Sequence, residues 1–363
     1  MKDAIGHCSA NGQSPEKDRV IARLRKLRTQ LRDPQQNESV YGLASRYSAE
    51  IAPDGFAGWF HAVLFGYVVS EFDPRYPGGL DYFCSVMDLG WNPRSMIEDH
   101  TLWPLFRIGE LSAKRRADVE ANLLRSAAPG PRLRGRFQFG ASRSKRFRPR
   151  YCLPCLIDDF KSGRPLTWYR HHQILGADWC PKHRVRLTSE ATRWASPSRS
   201  GRSFSLPVLL STDLSDASAD EVGKHVGAPF TKPKSFSDDA ALRFSAIAIG
   251  LLDKRLSAIH PSLWTEVFRS IIEDRGSKRS WGEIRKWRST SFWRQCGMYE
   301  RLRKTKWLGD SKALSEMAIK LNVKQKLCLM SAFFYTADDF VNRLKSVHEA
   351  RIYIDIDAPR RST

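Results

Sequence analysis

Apolar positions recur at helical spacing over most of this chain. Residues 14–32 place Ile21, Leu24, Leu27 and Leu31 on one stripe, with Arg19, Arg23, Lys26 and Arg28 around it, which predicts a basic amphipathic helix. Ser14, Pro15 and Glu16 supply its start as cap, first-turn proline and acid at the positive end. Glu38–Ser48 continues with Val40, Leu43, Ala44 and Tyr47, and the largely apolar Phe56–Val69 predicts a buried helix. Leu80–Leu89 and Pro93–Ile97 predict short helices, set apart by Pro77-Gly78-Gly79 and Gly90. Lys114–Ser126 predicts another, ended by the linker residues 127–131.

Residues 195–240 are rich in Ser, Pro, Asp and Gly and show little periodicity, so they read as a partly ordered linker. Beyond them, Ala241–Leu256 carries Leu242, Ile247, Leu251 and Leu252. Ser262–Asp274 carries Leu263, Trp264, Val267, Phe268 and Ile271, with Gly276 as its stop. Leu314–Val323 has the pattern of the first helix and turn of a helix-turn-helix, with Asn322 at a left-handed turn and Val323 opening the next helix. Leu327–Phe334 is too apolar for an exposed recognition helix, so this pair is expected to be core. The expected fold is mainly α, in five parts. These are a basic N-terminal extension (1–37), a helical part (38–131), a basic run with a metal module (132–194), a linker (195–240) and a helical C-terminal domain (241–363).

Charge changes the picture. The 363 residues carry 60 Lys and Arg against 39 Asp and Glu, a formal net charge of +21. Such an excess points to a polyanionic partner, nucleic acid before an anionic membrane surface. The charge is clustered. Residues 132–150 hold eight basic and no acidic residues, among them Arg143, Lys145, Arg146, Arg148 and Arg150, with Phe137, Phe139 and Phe147 between them. Residues 275–307 hold 11 basic residues, including Arg285, Lys286, Arg288 and Arg294, alternating with Trp281, Trp287, Phe292, Trp293, Tyr299 and Trp307. Those nine named basic residues are the expected phosphate contacts, and the aromatics either pack the fold or touch sugars.

The chemistry concentrates at Cys152, Cys155, Cys180 and His183, which read C-x2-C, a gap of 24 residues, then C-x2-H. Thiolate and imidazole are the ligands zinc prefers, and four of them leave no open position, so the pattern predicts one structural Zn2+ in a small CCCH knuckle module. A redox CxxC would need a strand–turn–helix setting, which the pattern does not offer, and would leave Cys180 and His183 unexplained. His172 is read as a packed or surface residue beside His171, with a donor to the ligands or a substitute ligand as the other readings, and Asp158 and Asp159 as adjacent acids that point in different directions. Cys8, Cys84, Cys296 and Cys328 form no disulfide framework, and Cys296, Cys328, His260 and His348 lack knuckle spacing, so one ion is expected. No phosphate loop, dinucleotide turn or HExxH is present, and no catalytic residue is assigned. No signal peptide opens the chain and no apolar run reaches the ~20 residues of a membrane span, so a cytoplasmic protein without a membrane role is expected.

Longer motifs carry a resemblance. Arg150-Tyr151-Cys152-Leu153-Pro154-Cys155-Leu156-Ile157-Asp158-Asp159 is similar to the RYCPxCLxxD of the TniQ family, the target-selection proteins of Tn7-like and related transposons. Trp168 to Gly176 followed by Cys180-Pro181-Lys182-His183 resembles its W-R-x-x-H-Q-L-x-G and C-P-x-H. Glu38 to Arg46 resembles the family's opening E-S-L-x-S-W-L-x-R, and His100-Thr101-Leu102-Trp103-Pro104 its H-T-x-x-P. Leu153 departs from the usual Pro after the first Cys. The resemblance implies a protein without chemistry of its own, acting on bacterial, nucleoid-associated DNA. It would mark target DNA directly or through an RNA-guided CRISPR complex and recruit an AAA+ ATPase regulator of transposition, with a homodimer expected by analogy. The alternative reading from the residues is a zinc-dependent transcriptional regulator.

Overall fold

Helices carry nearly all of the regular structure, as the apolar spacing predicts. The computed structural model describes residues 33–51, 64–65, 77–109, 112–125, 149–189, 232–275, 282, 284–287, 290–296, 298 and 321–349, together with Ala22 and Lys26. The N-terminal half holds α1 (Val40–Ile51), α2 (Leu80–Met87), α3 (Pro93–His100), α4 (Trp103–Arg107) and α5 (Ala113–Leu124). A compact insert follows with β1 (Arg150–Tyr151), α6 (Leu153–Lys161), a 3-10 turn (Arg170–Gln173), β2 (Trp179–Cys180), β3 (Val185–Arg186) and β4 (Thr188–Ser189). The C-terminal half holds α7 (Phe236–Lys254), α8 (Pro261–Arg275), α9 (Ser291–Gln295), α10 (Val323–Ser331) and α11 (Ala337–Glu349).

Local chemistry sets the helix starts. Asn92 Oδ1 accepts from Arg94 N at 2.8 Å ahead of Pro93, and Ser112 Oγ accepts from Arg115 N at 3.2 Å. Each such cap contributes about 1 kcal/mol by satisfying an orphan amide. Ser235 Oγ accepts from Asp238 N at 3.2 Å, with Asp238 and Asp239 in the first turn. That cap starts α7 at Phe236, inside the stretch read from sequence as linker. Asn322 is also a cap. It sits in extended conformation (φ −74°, ψ 169°) and forms a reciprocal capping box with Gln325 rather than a left-handed turn. The predicted helices over 14–32 and 56–69 fall largely outside the described residues. Ala22 and Lys26 are helical and exposed, and Leu64 and Phe65 are helical and buried.

One apolar cluster runs through both halves. It joins Val40, Leu43, Phe83 and Trp103 to Ile174 and Trp179 of the insert and to Phe244, Ile247, Leu251, Trp264, Trp287, Trp293, Leu329 and Phe340. Helix α7 is apolar on so much of its surface, from Ala240 to Leu252, that it must be surrounded, and α9, α10, α11 and β2 pack around it. Gly250 makes the approach of α11 possible, since a Cβ there would lie 2.5 Å from Ala337 Cβ. Polar ties follow the same seam. Trp179 N donates to Ser245 Oγ at 3.4 Å, Arg170 pairs with Asp253 at 3.4 Å, and Ile259 N donates to Ile108 O at 2.9 Å. Trp264 lies at the centre of the α8–α11 packing, stacked on Phe268 and Phe340, so Trp264→Ala should cost about 3–5 kcal/mol. None of the helices among the described residues is long and apolar enough to cross a membrane.

One cation is buried inside this packing. Lys326 on α10 is 1% exposed, its ammonium sits 5.3 Å from the centroid of the Trp264 ring, and no carboxylate among the described residues pairs with it. Burial pushes its pKa from 10.5 down to about 8. Below about pH 8 the lysine is charged in both folded and unfolded chains and its full desolvation penalty opposes folding. As pH rises from about 8 to 10.5 the folded state is deprotonated first, so the penalty fades and stability grows. Lys326→Met, which fills similar volume without a charge, is expected to raise stability at pH 7 and to lose the rise between about pH 8 and 10.5. Urea unfolding of both proteins across that range checks it; a parallel pH dependence of the two would contradict the placement.

Candidate metal centre

The first two cysteines are aimed by a helix start. Cys152 is the extended N-cap of α6, Pro154 lies in its first turn, and Leu156 N donates back to Cys152 O at 3.2 Å. Cys155 therefore sits in the first turn, where the positive end of the helix favours a thiolate. Strand β1 runs into this CxxC with only Cys152 between strand and helix, and among the described residues it pairs antiparallel with β4 alone, which is not the setting of a redox pair. What separates the site from a redox pair is the convergence of two further ligands, Cys180 and His183, on it.

The second knuckle is a hairpin. Strands β2 and β3 pair antiparallel with Cys180 opposite Val185, and Arg184 takes a left-handed conformation (φ 53°) with its N donating to Cys180 O at 2.8 Å. That tight turn swings His183 back over Cys180. Strands β1 and β4 pair with Arg150 opposite Ser189 and Tyr151 opposite Thr188, which closes the insert at both ends. Gln173 holds β1 in place, accepting from Arg150 N at 3.0 Å and donating to Arg150 O at 2.8 Å.

The four side chains meet in the geometry a tetrahedral ion requires. Ligand bonds of about 2.3 Å to sulfur and about 2.1 Å to nitrogen give edges of about 3.8 Å between sulfurs and about 3.6 Å between sulfur and nitrogen. Cys155 and Cys180 sulfurs are 3.8 Å apart, and His183 Nδ1 lies 3.4, 3.3 and 3.7 Å from the sulfurs of Cys152, Cys155 and Cys180. All four ligand atoms fall within 4.8 Å of one another, so the group can hold a metal ion. Among the described residues this is the one such convergence of His, Cys, Asp and Glu. Without a cation the three thiols compete. Hydrogen bonds from Cys152 and Cys155 push the pKa of Cys180 down, while hydrogen bonds with Cys152 and Cys180, and burial, push Cys155 up. A divalent cation lets all three ionise together, as coordination demands.

Groups around the ligands fix their orientation. His183 Nε2 lies 3.1 Å from Asp158 Oδ2, which also accepts from Lys182 Nζ at 2.5 Å. The carboxylate thus fixes the tautomer that leaves Nδ1 free to ligate. Asp159 points the other way, buried, accepting from Tyr169 Oη at 2.6 Å and Arg164 Nε at 2.9 Å. His172 is buried with Nε2 3.9 Å from Cys155 Sγ, and burial lowers its pKa, so it packs against the cluster as a neutral ring.

The residues expected to meet phosphate are placed differently. Arg150 lies inside, pairing with Asp178 at 2.7 Å and donating to Ile174 O at 2.5 Å. It is committed to the insert rather than turned outward. Arg143, Lys145, Arg146, Arg148 and Arg288 lie outside the described residues. Arg285 and Lys286 are exposed on the helical piece 284–287, and Arg294 is exposed on α9. The two pieces are held side by side by Trp287 and Trp293, whose rings meet edge-on at 6.3 Å. Trp287, Phe292 and Trp293 are buried, so the aromatics of this stretch pack the fold. Sequence reading missed the two exposed large apolar residues, Phe236 and Tyr335, because each lies at a helix edge without periodic company.

Residues 32–187 match the family model for TniQ. No curated protein matches the chain. The matched segment contains all four ligands, helices α1–α6 and strands β1–β3, with β4 just beyond it.

Asp158→Asn keeps the shape but removes the charge that orients His183. Affinity for zinc, measured by competition with a chromophoric chelator, is expected to fall about 10- to 100-fold, with the protein still folded in excess metal. Affinity equal to the wild type would show that His183 is held by something else.

Proposed function

Because residues 32–187 belong to the TniQ family, which is associated with target selection in transposition, we propose that this protein marks target DNA and recruits the transposition machinery without catalysing a reaction itself. The ion is one structural Zn2+, held by Cys152, Cys155, Cys180 and His183. Cys3His chemistry with closed tetrahedral edges favours it over hard or octahedral ions. The partners are DNA, engaged directly or through an RNA-guided complex, and an AAA+ ATPase regulator.

The observation that carries this reading is the integrity of the family segment, ligands included, inside a chain of net charge +21. That charge supplies the long-range attraction to a phosphate backbone. The phosphate-facing set is Arg285, Lys286 and Arg294 on the described surface, with Arg143, Lys145, Arg146, Arg148 and Arg288 as further members.

DNA affinity measured at several salt concentrations is expected to fall by about 0.9 log unit per log unit of salt for each phosphate contact. Replacing Arg285 and Lys286 together by Ala should flatten the slope by about two. A wild-type affinity indifferent to salt would remove DNA from the proposal. Capture of an AAA+ ATPase by this protein from cells carrying its neighbouring genes, with and without DNA, tests the recruiting half; a transcriptional regulator would capture none.

A further inference from the structure

The two large apolar side chains exposed among the described residues belong to one row. Tyr335, in the turn between α10 and α11, is 66% exposed, and Phe236, the first residue of α7, is 44% exposed. Between them lie Arg243 and Trp287. The Arg243 guanidinium is 4.0 Å from the centroid of the Tyr335 ring and 5.3 Å from that of Trp287. The Phe236 ring meets Trp287 edge-on at 5.9 Å. Arg243 thus supports Tyr335 from one side and leaves the rest of the ring to solvent.

Cations and acids both border the row. Lys232 and Lys234 are exposed just before Phe236, and Arg285 and Lys286 are exposed just before Trp287. Most acids on the same elements are engaged. Asp238 accepts from Ser235 Oγ and Lys234 N, Asp338 pairs with Lys254 at 2.5 Å, and Asp339 accepts from Thr336 N. Asp239 is exposed. An aromatic ring braced by a guanidinium and bordered by cations suits a nucleic-acid base with its phosphates alongside. The bases of an intact duplex are stacked on one another and offer no open face, whereas an unpaired base does.

Resting on the reading of this protein as a DNA binder, we propose that the Tyr335–Arg243 pair is a stacking platform for an unpaired or unstacked base. Intact duplex is then held by the flanking cations, and distorted or single-stranded DNA gains an additional contact at Tyr335. The surface therefore favours DNA whose helix has been opened, whatever its sequence.

The test uses the full chain and two labelled DNAs, an intact duplex and the same duplex carrying one unpaired 2-aminopurine. The wild type is expected to bind the second more tightly and to quench the 2-aminopurine. Tyr335→Ala should weaken binding of the unpaired-base duplex by roughly tenfold and abolish the quenching, while intact duplex changes less than about twofold. Tyr335→Phe should behave as wild type, because the ring and not the hydroxyl makes the contact. Arg243→Lys should lose part of the preference, since an ammonium braces a ring less well than a planar guanidinium. Unchanged binding and quenching in Tyr335→Ala would overturn the platform. So would equal losses in Tyr335→Ala and Tyr335→Phe, which indicate a hydroxyl–phosphate contact. Loss of ATPase capture by Tyr335→Ala with DNA binding intact would assign the row to a protein partner instead. If the wild type binds neither DNA, the DNA-binding reading itself fails, and this result is distinct from a wild type that binds duplex with a steep salt response and no preference.

Discussion

The carboxylate of Glu38 lies wholly inside the protein, and the fold around it is arranged to answer that charge. Arg46 reaches it through Nε at 3.2 Å and Nη2 at 2.9 Å, Thr167 donates at 2.5 Å, and Gln35 N donates at 2.9 Å. Removing one partner of such a pair typically costs 3–5 kcal/mol, because the other charge is left stranded. The donors come from three places in the sequence, so satisfying one side chain fixes the distance between the start of α1 and the approach to the metal insert. The backbone of the same residue is used as well. Glu38 bridges Tyr169 in an isolated β pair, and its carbonyl accepts from His100 Nδ1 at 2.7 Å.

Neighbouring motif residues extend this network. Ser39 N and Oγ both donate to Trp168 O, at 2.9 and 2.6 Å, and Gly42 lets α1 lie against that segment, since a Cβ there would be 2.5 Å from Thr167 Oγ1. Arg170 donates to Asn37 Oδ1 at 2.9 Å, to the carbonyls of Glu98 and Thr101, and reaches Asp253 on α7. The E-S, H-T and W-Y-R motifs are therefore one polar framework rather than three separate sites. It docks the insert onto the helices, while the four candidate ligands bring only the two knuckles together.

The match to the family model ends at residue 187, but the core does not. Trp179 and Ile174 bury their side chains in the same apolar cluster as α7 and α8. The C-terminal helices pack against the insert through Trp179 and Ile174, and Arg285, Lys286, Arg294 and Tyr335 are exposed on these helices and their connections. The insert and the C-terminal helices are thus parts of one packed body.

The ligand set was legible in the sequence because knuckle spacing is local: two residues between cysteines leave few ways to present both sulfurs. Helices α1, α5, α8 and α10 were legible for a similar reason, since period and caps act within a turn or two. The left-handed Asn322 and the outward Arg150 were misjudged where the outcome depends on what lies across the fold. Arg150 faces Asp178 because β1 closes on β4 and Gln173, contacts separated by more than twenty residues. The row from Phe236 to Tyr335 was decided by tertiary structure alone, since four residues from three elements share no period. Sequence set the chemistry that short segments can enforce on themselves; packing chose which charged and aromatic groups were left facing water, because burial is a property of the whole chain's closure and not of any window along it.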